Sequence, residues 1–167
     1  MKKVLAVIIA LSMLATFTAC GETKNTDNGG DSAPNAVTEG FAFTYSGVKL
    51  CVGGDFVPSN LPEANSVYEV PSCAIEGTDN VYNYGTFELT AFNDGTKEII
   101  YSIYILDANT PTDEGLYLGD NLARIETIYG TDYQRNGNEI VFEKGNSRLI
   151  FILQNEMVIS IELRMPT

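Results

Sequence analysis

EIIYSIYIL, Glu98 to Leu106, lies over EMVISIELR, Glu156 to Arg164, at a shift of 58 residues, with Glu, Ser and Ile matching. Each stretch is short, rich in β-branched and aromatic residues, and preceded by turn chemistry: Asn93-Asp94-Gly95 in one case, Gln154-Asn155-Glu156 in the other. Each therefore reads as the second strand of an antiparallel hairpin. Strand alternation places Tyr101, Ile103 and Ile105 on one face and Ser102, Tyr104 and Leu106 on the other. Tyr104 is assigned to the outer face, because Glu162 takes its place in the later stretch.

Working outward, the matches continue in order. At a shift of 60, Val81, Gly85 and Leu89 meet Val141, Gly145 and Leu149; at 68, Gly47-Val-Lys-Leu50 meets Gly115-Leu-Tyr-Leu118. Ordered matches of this kind predict an internal duplication, with copies at about 47–106 and 115–164. Further strand-like runs lie at Val81–Tyr84, Phe87–Ala91, Glu139–Phe142 and Leu149–Leu153. In the second copy, Asp120 reads as the N-cap of a helix carrying Leu122, Ile125, Ile128 and Tyr129 on one face, and Gly130 as its stop. A counterpart in the first copy would begin at Asp55, with Phe56, Val57 and Leu61 as its apolar face, Pro58 in its first turn and Pro62 ending it. The expected fold class is α+β: two tandem strand-helix-meander repeats, a mostly antiparallel sheet and two short helices. The 127 residues from Phe41 suffice for one domain with its own core.

Glycine, strand, "LGD", helix and "YG" followed by a meander, over about Gly47 to Arg164, resembles the two-repeat α/β architecture of the β-lactamase inhibitor proteins. It also resembles the small outer-membrane-assembly lipoproteins that carry one such unit. Pro71-Ser-Cys-Ala-Ile-Glu-Gly77 is similar to a "PSCAxEG" segment of uncharacterised lipoproteins of Gram-positive bacteria. The first likeness implies a fold and a binding role; the second brings no activity.

The front of the chain has Lys2 and Lys3, then an uncharged apolar run from Val4 to Phe17, then Thr18 and Ala19 before Cys20. This is the layout of an export signal, residues 1–19, and the run is shorter than the roughly 20 residues a membrane span needs. Phe17-Thr18-Ala19-Cys20 resembles the lipobox of bacterial lipoproteins, which implies a lipidated Cys20 at the outer face of the cytoplasmic membrane. The polar stretch from Gly21 to Gly40 reads as a flexible tether, so that residues 20–40 form an anchor and leash. An ordinary secretory signal is the plainer alternative.

Loss of residues 1–19 leaves 8 basic and 22 acidic side chains, a net charge of −14. A charge of that sign repels the phosphate backbone, so no nucleic-acid partner is expected. With Cys20 taken by lipid, Cys51 and Cys73 remain to form one disulfide outside the cytoplasm, or to stay as buried thiols in an anaerobic host.

The fall of the shift from 68 to 60 gives the first copy eight extra residues between Leu61 and Val81. That stretch holds Cys73, Glu76 and Asp79, and reads either as an extra strand or turn, or as a binding loop. Glu76 with Asp79 is the pair on which a hydrolase or carbohydrate-active reading would rest. The chain has no His at all, which removes the usual nucleophile-activating base. Asn93-Asp94-Gly95-Thr96 and Gly119-Asp120-Asn121 offer calcium too few ligands and are better explained as turn and cap, so no metal and no cofactor is expected. Tyr82, Tyr84, Tyr101, Tyr104, Tyr117, Tyr129 and Tyr133 suit either strand packing or a partner surface. The expectation is a lipid-anchored, non-enzymatic binding module for a protein, peptide or glycan of the cell envelope.

Overall fold

The computed structural model describes residues 40–72 and 77–166. Residues 1–39, and with them Cys20, lie outside the described residues, as do Cys73 and Glu76.

The chain opens with a hairpin of β1 (Ala42–Tyr45) and β2 (Val48–Cys51), turned by Ser46 and Gly47, both at positive φ. A short β3 (Asp55–Phe56) and a single 3₁₀ turn (Pro58–Asn60) lead into a meander of β4 (Ser66–Pro71), β5 (Thr78–Asn83), β6 (Phe87–Asn93) and β7 (Glu98–Ile105). Then come helix α1 (Leu122–Tyr129) and a second meander: β8 (Gln134–Asn136), β9 (Glu139–Lys144), β10 (Ser147–Gln154) and β11 (Met157–Arg164). The meanders join through β7 and β11 in the order β4-β5-β6-β7-β11-β10-β9-β8, and β3 adds to β7 beyond the end of β11.

One face of this antiparallel sheet carries the core. A single rung crosses six strands as Tyr82, Leu89, Ile103, Leu163, Leu149 and Phe142, all buried. The next rung, Tyr84, Phe87, Ile105, Ile161, Phe151 and Ile140, is equally buried. Burying one such side chain contributes about 1.5–3 kcal/mol, so these two rows supply much of the driving force for the fold. The β1–β2 hairpin covers the first meander, with the Phe43 and Phe87 rings 4.9 Å apart. Helix α1 covers the second, its Tyr129 ring 5.4 Å from Phe142 and 5.6 Å from Phe151.

The two meanders share a register around the β7–β11 contact. The pair at the centre of the β7–β11 contact is Tyr104 opposite Glu162, 58 residues apart. A bulge falls between Thr90 and Ala91 in the β6–β7 pairing, and another between Ile152 and Leu153 in β10–β11. The residues these bulges leave over, Tyr101 and Ile159, are again 58 apart. Ahead of each meander, Gly53 donates to Ile100 and Ile100 to Gly54, as Gly119 donates to Val158 and Val158 to Asp120.

Three expectations need correction. The first bulge throws Tyr101 out of phase with Ile103, and Ile100, 1 % exposed, takes the core position instead. The helix expected from Asp55 is absent: Asp55 and Phe56 pair with Ile99 and Glu98, and only the 3₁₀ turn follows. Pro58 and Pro62 bracket too few residues for an α-helix to close its bonds, and the backbone of Asp55 is already committed to β7. The described residues therefore hold one α-helix, not two, and the domain is largely β. In α1 itself the N-cap is Asn121, whose Oδ1 accepts from Arg124 N at 3.0 Å; Asp120 accepts instead from Tyr117 N. Gly130 ends the helix at positive φ, as its position predicts.

Candidate functional site

The sheet has two edges, and they differ. β8 is three residues long, and its middle residue, Arg135, bonds the Gly137 carbonyl and the Glu156 carboxylate. Short, charged strands are how proteins blunt an edge. β4 matches β8 over Ser66–Tyr68 and then runs on, with Glu69, Val70 and Pro71 pairing with Asn80, Asp79 and Thr78. The extra residues of the first half thus lengthen the β4–β5 hairpin by three pairs.

Ser72 N donates to Gly77 O, which fixes the alternation of the ladder. Ser66, Tyr68 and Val70 bond inward to β5, and Val67 and Glu69 turn their N–H and C=O groups outward. Nothing among the described residues covers that side of β4. Pro71 closes the open stretch, having no N–H to offer.

Beside Val67 lies a groove of about 390 Å³. One wall is the segment from Pro58 to Ala64; the other is formed by Val67, Tyr82 and Tyr84 of the sheet. It exists because this half has a 3₁₀ turn and prolines where the other half has α1. The tyrosines at the sheet wall are fixed. Tyr84 stacks on Phe87 with ring centroids 4.8 Å apart, and the Tyr82 hydroxyl donates to Glu98, whose Oε1 also accepts from Asn80 at 2.7 Å. Burial, reinforced by that bond to Glu98, pushes the Tyr82 hydroxyl far above its ordinary range, so it is a neutral donor at any working pH. The groove is apolar with one acid, Glu63, at its wall.

The other singled-out residues are dispersed. Asp79 lies in β5, 2 % exposed, with its Oδ1 unbonded. Cys51, at the end of β2, is disulfide-bonded. Tyr68, Tyr104 and Tyr117 are exposed, and Tyr104 is on the face away from the core, as the comparison with Glu162 suggests. Tyr129 and Tyr133 pack against the second meander, Tyr129 with its hydroxyl 2.7 Å from Thr112 Oγ1 and bonded to Glu114. The tyrosines therefore do not form one continuous outer surface.

The turn acids are spent on backbone. Asn93 Oδ1 accepts from Gly95 N, and Asp94 Oδ1 from Thr96 N, Thr96 Oγ1 and Lys97 N. Those bonds, the Thr96 hydroxyl first, hold the Asp94 carboxyl below its usual range. Among the described residues no three of His, Cys, Asp and Glu cluster to hold a metal, and no helix is long and apolar enough to cross a membrane.

The sequence marks the β4 stretch as an insertion and gives no sign of its surface. Val67 and Tyr68 were read only as part of an insertion, because an edge strand with no alternation of burial resembles a loop; the paired prolines around Ser59 were the available signal for the groove. Compared with known proteins, the chain matches no family model, no curated protein and no solved structure.

Proposed function

We propose that this chain is an extracytoplasmic lipoprotein, anchored at the outer face of the cytoplasmic membrane through Cys20, whose domain is a non-enzymatic binding module for an envelope protein, peptide or glycan. The observation that carries the binding role is the apolar groove set against an unpaired strand edge, both in the same half of the sheet. Small-molecule and peptide sites share this make-up of apolar walls with a few fixed polar groups. Two features support a non-catalytic role. The chain has no His. Of the carboxylates around the groove and β4, Glu98 is hydrogen-bonded by Tyr82 and Asn80, and Glu88 by Tyr68 and Asn83.

In this reading the two meanders are copies of one ancestral unit, a duplication supported by the matched bulges and the matched glycine-to-strand bonds. The same reading keeps the pairing of Cys51 with Cys73 that the sequence predicts.

Capture from cell-envelope extract tests the binding role, comparing the parent chain with an Ala64→Trp, Val67→Arg variant that fills and charges the groove. The parent is expected to retain a partner that the variant loses; equal capture by both would remove the groove from the account. Mass spectrometry of the anchor should find Cys20 acylated at a new N-terminus, and an intact, unmodified signal would refute the localisation.

A further inference from the structure

We infer that the occupant of this site is an extended peptide, added to β4 as a further strand, with an apolar side chain in the groove and a basic side chain two residues away. The inference rests on the binding-module reading and names its ligand.

Three features define the ligand. First, the outward N–H and C=O groups of Val67 and Glu69 offer the alternating donors and acceptors that an added strand consumes, and little else in chemistry matches them at that spacing. Second, directly opposed residues in a sheet project to the same face. Val67 pairs with Tyr82 and lines the groove, so the peptide residue opposite Val67 projects on the groove side. Third, Glu69 lies on that same face two residues on, exposed, and Glu63 is at the groove wall. A lysine or arginine opposite Glu69 gains a cross-strand ion pair, and an acidic residue there is repelled.

In an antiparallel arrangement the peptide therefore reads basic-x-apolar; in a parallel one, apolar-x-basic. A second copy of this chain fits poorly. Antiparallel pairing of β4 with itself can set Val67 opposite Val67, but β4 has no basic residue to place opposite Glu69, and the net charge of −12 opposes association. The edge that Arg135 and shortness blunt at β8 is left open at β4, where the exposed side chains include Val67 and Tyr68.

The test is an NMR titration of the full chain with three synthetic hexapeptides. One has a lysine two residues before a valine, one has glutamate in place of that lysine, and one is the lysine peptide N-methylated along one edge. The lysine peptide should slow exchange of the Val67 and Glu69 amides and shift the Tyr82 and Tyr84 ring signals. Removing its backbone donors should weaken binding about tenfold or more, and Glu69→Lys should reverse the preference between lysine and glutamate peptides. Val67→Pro, which deletes an outward N–H and reshapes the groove wall while leaving the bonds to β5, should weaken binding without unfolding the sheet.

Binding of the lysine peptide that leaves both amides unchanged overturns the strand-addition inference, as does the absence of binding by all three. Protection that rises with protein concentration alone assigns the edge to a second copy, and protection lost on deleting residues 20–39 assigns it to the chain's own leash; each overturns the inference. Retained, groove-dependent capture from envelope extract in any of these cases leaves the binding-module reading standing.

Discussion

The two halves of the sheet share a register, a bulge and an entry, yet one is closed and the other open. Over β9 and β10 the chain lays a capped two-turn helix, with Ile125 fully buried and Tyr129 packed on two phenylalanines. At the equivalent place over β5, the chain has Phe56 on Tyr82 at 4.8 Å, then a proline-bounded turn that leaves a groove. The outer strands differ in the same direction: β8 is short and held by Arg135, whereas β4 is long and unpaired outward. Equal scaffolds can thus carry unequal surfaces. The second half supplies covered core, and the first leaves a groove and an unpaired strand edge.

The comparison is broken most directly through the shared core. Leu89 opposite Ile103 and Phe151 opposite Ile161 are corresponding, fully buried positions. Leu89→Ala should cost about 2–5 kcal/mol and Phe151→Ala about 3–5 kcal/mol in urea unfolding, each shifting a single transition. Two separable transitions would mean that the halves fold independently.

A smaller effect sharpens the contrast between helix and turn. Asn121→Ala removes the cap of α1 and should cost about 1 kcal/mol, and Gly130→Ala, at φ 84°, a similar amount. Ser59→Ala in the uncapped 3₁₀ turn should fall within about 0.5 kcal/mol of the parent. Equal costs at both places would deny that the second half depends on its helix while the first does not.

The smallest effect concerns the central pair. Burial raises the Glu162 carboxyl above its usual range and Glu139 adds to this, with Arg164 opposing. The folded state therefore binds this proton more readily than the unfolded chain. Its contribution to stability is fully present below the ordinary carboxylate range and is lost as pH rises through the raised value. Glu162→Gln, which mimics the protonated form, should stabilise the protein at neutral pH, and the gain should vanish on acidification. A gain that grows as pH falls would contradict the assignment. Tyr104 stands in this place in the first half, so the pH response belongs to the second half alone.

Much of this arrangement is legible in the residues. Both hairpins, the outward Tyr104, the stop at Gly130 and the offset of 58 between β7 and β11 follow from turn residues and alternation. The bulges were not legible, because one extra residue in a strand leaves no mark in composition. A shift of 60 matches Leu89 to Leu149, whereas the paired rungs align Leu89 with Phe151, because the connection from Tyr82 to Leu89 is shorter than that from Ile140 to Phe151. The first helix is the exception: Val57 and Leu61 have helical spacing behind Asp55, and tertiary pairing of β3 with β7 overrides a propensity already weakened by Pro58. β4 was hidden for the opposite reason. Val67, Tyr68 and Val70 have strand chemistry, but an edge strand without a buried face gives no periodic signal.

Amide hydrogen exchange on the full chain, free of any ligand, tests most directly whether the first half is open. The account predicts alternation along β4: slow exchange at Ser66, Tyr68 and Val70, which bond to β5, and fast exchange at Val67 and Glu69. In the second half, Arg135 should be the one fast amide of β8, flanked by the slower Gln134 and Asn136. Slow exchange at Val67 and Glu69 in the free chain would show the edge already covered, and would contradict the claim that this half of the sheet is the one left open for a partner.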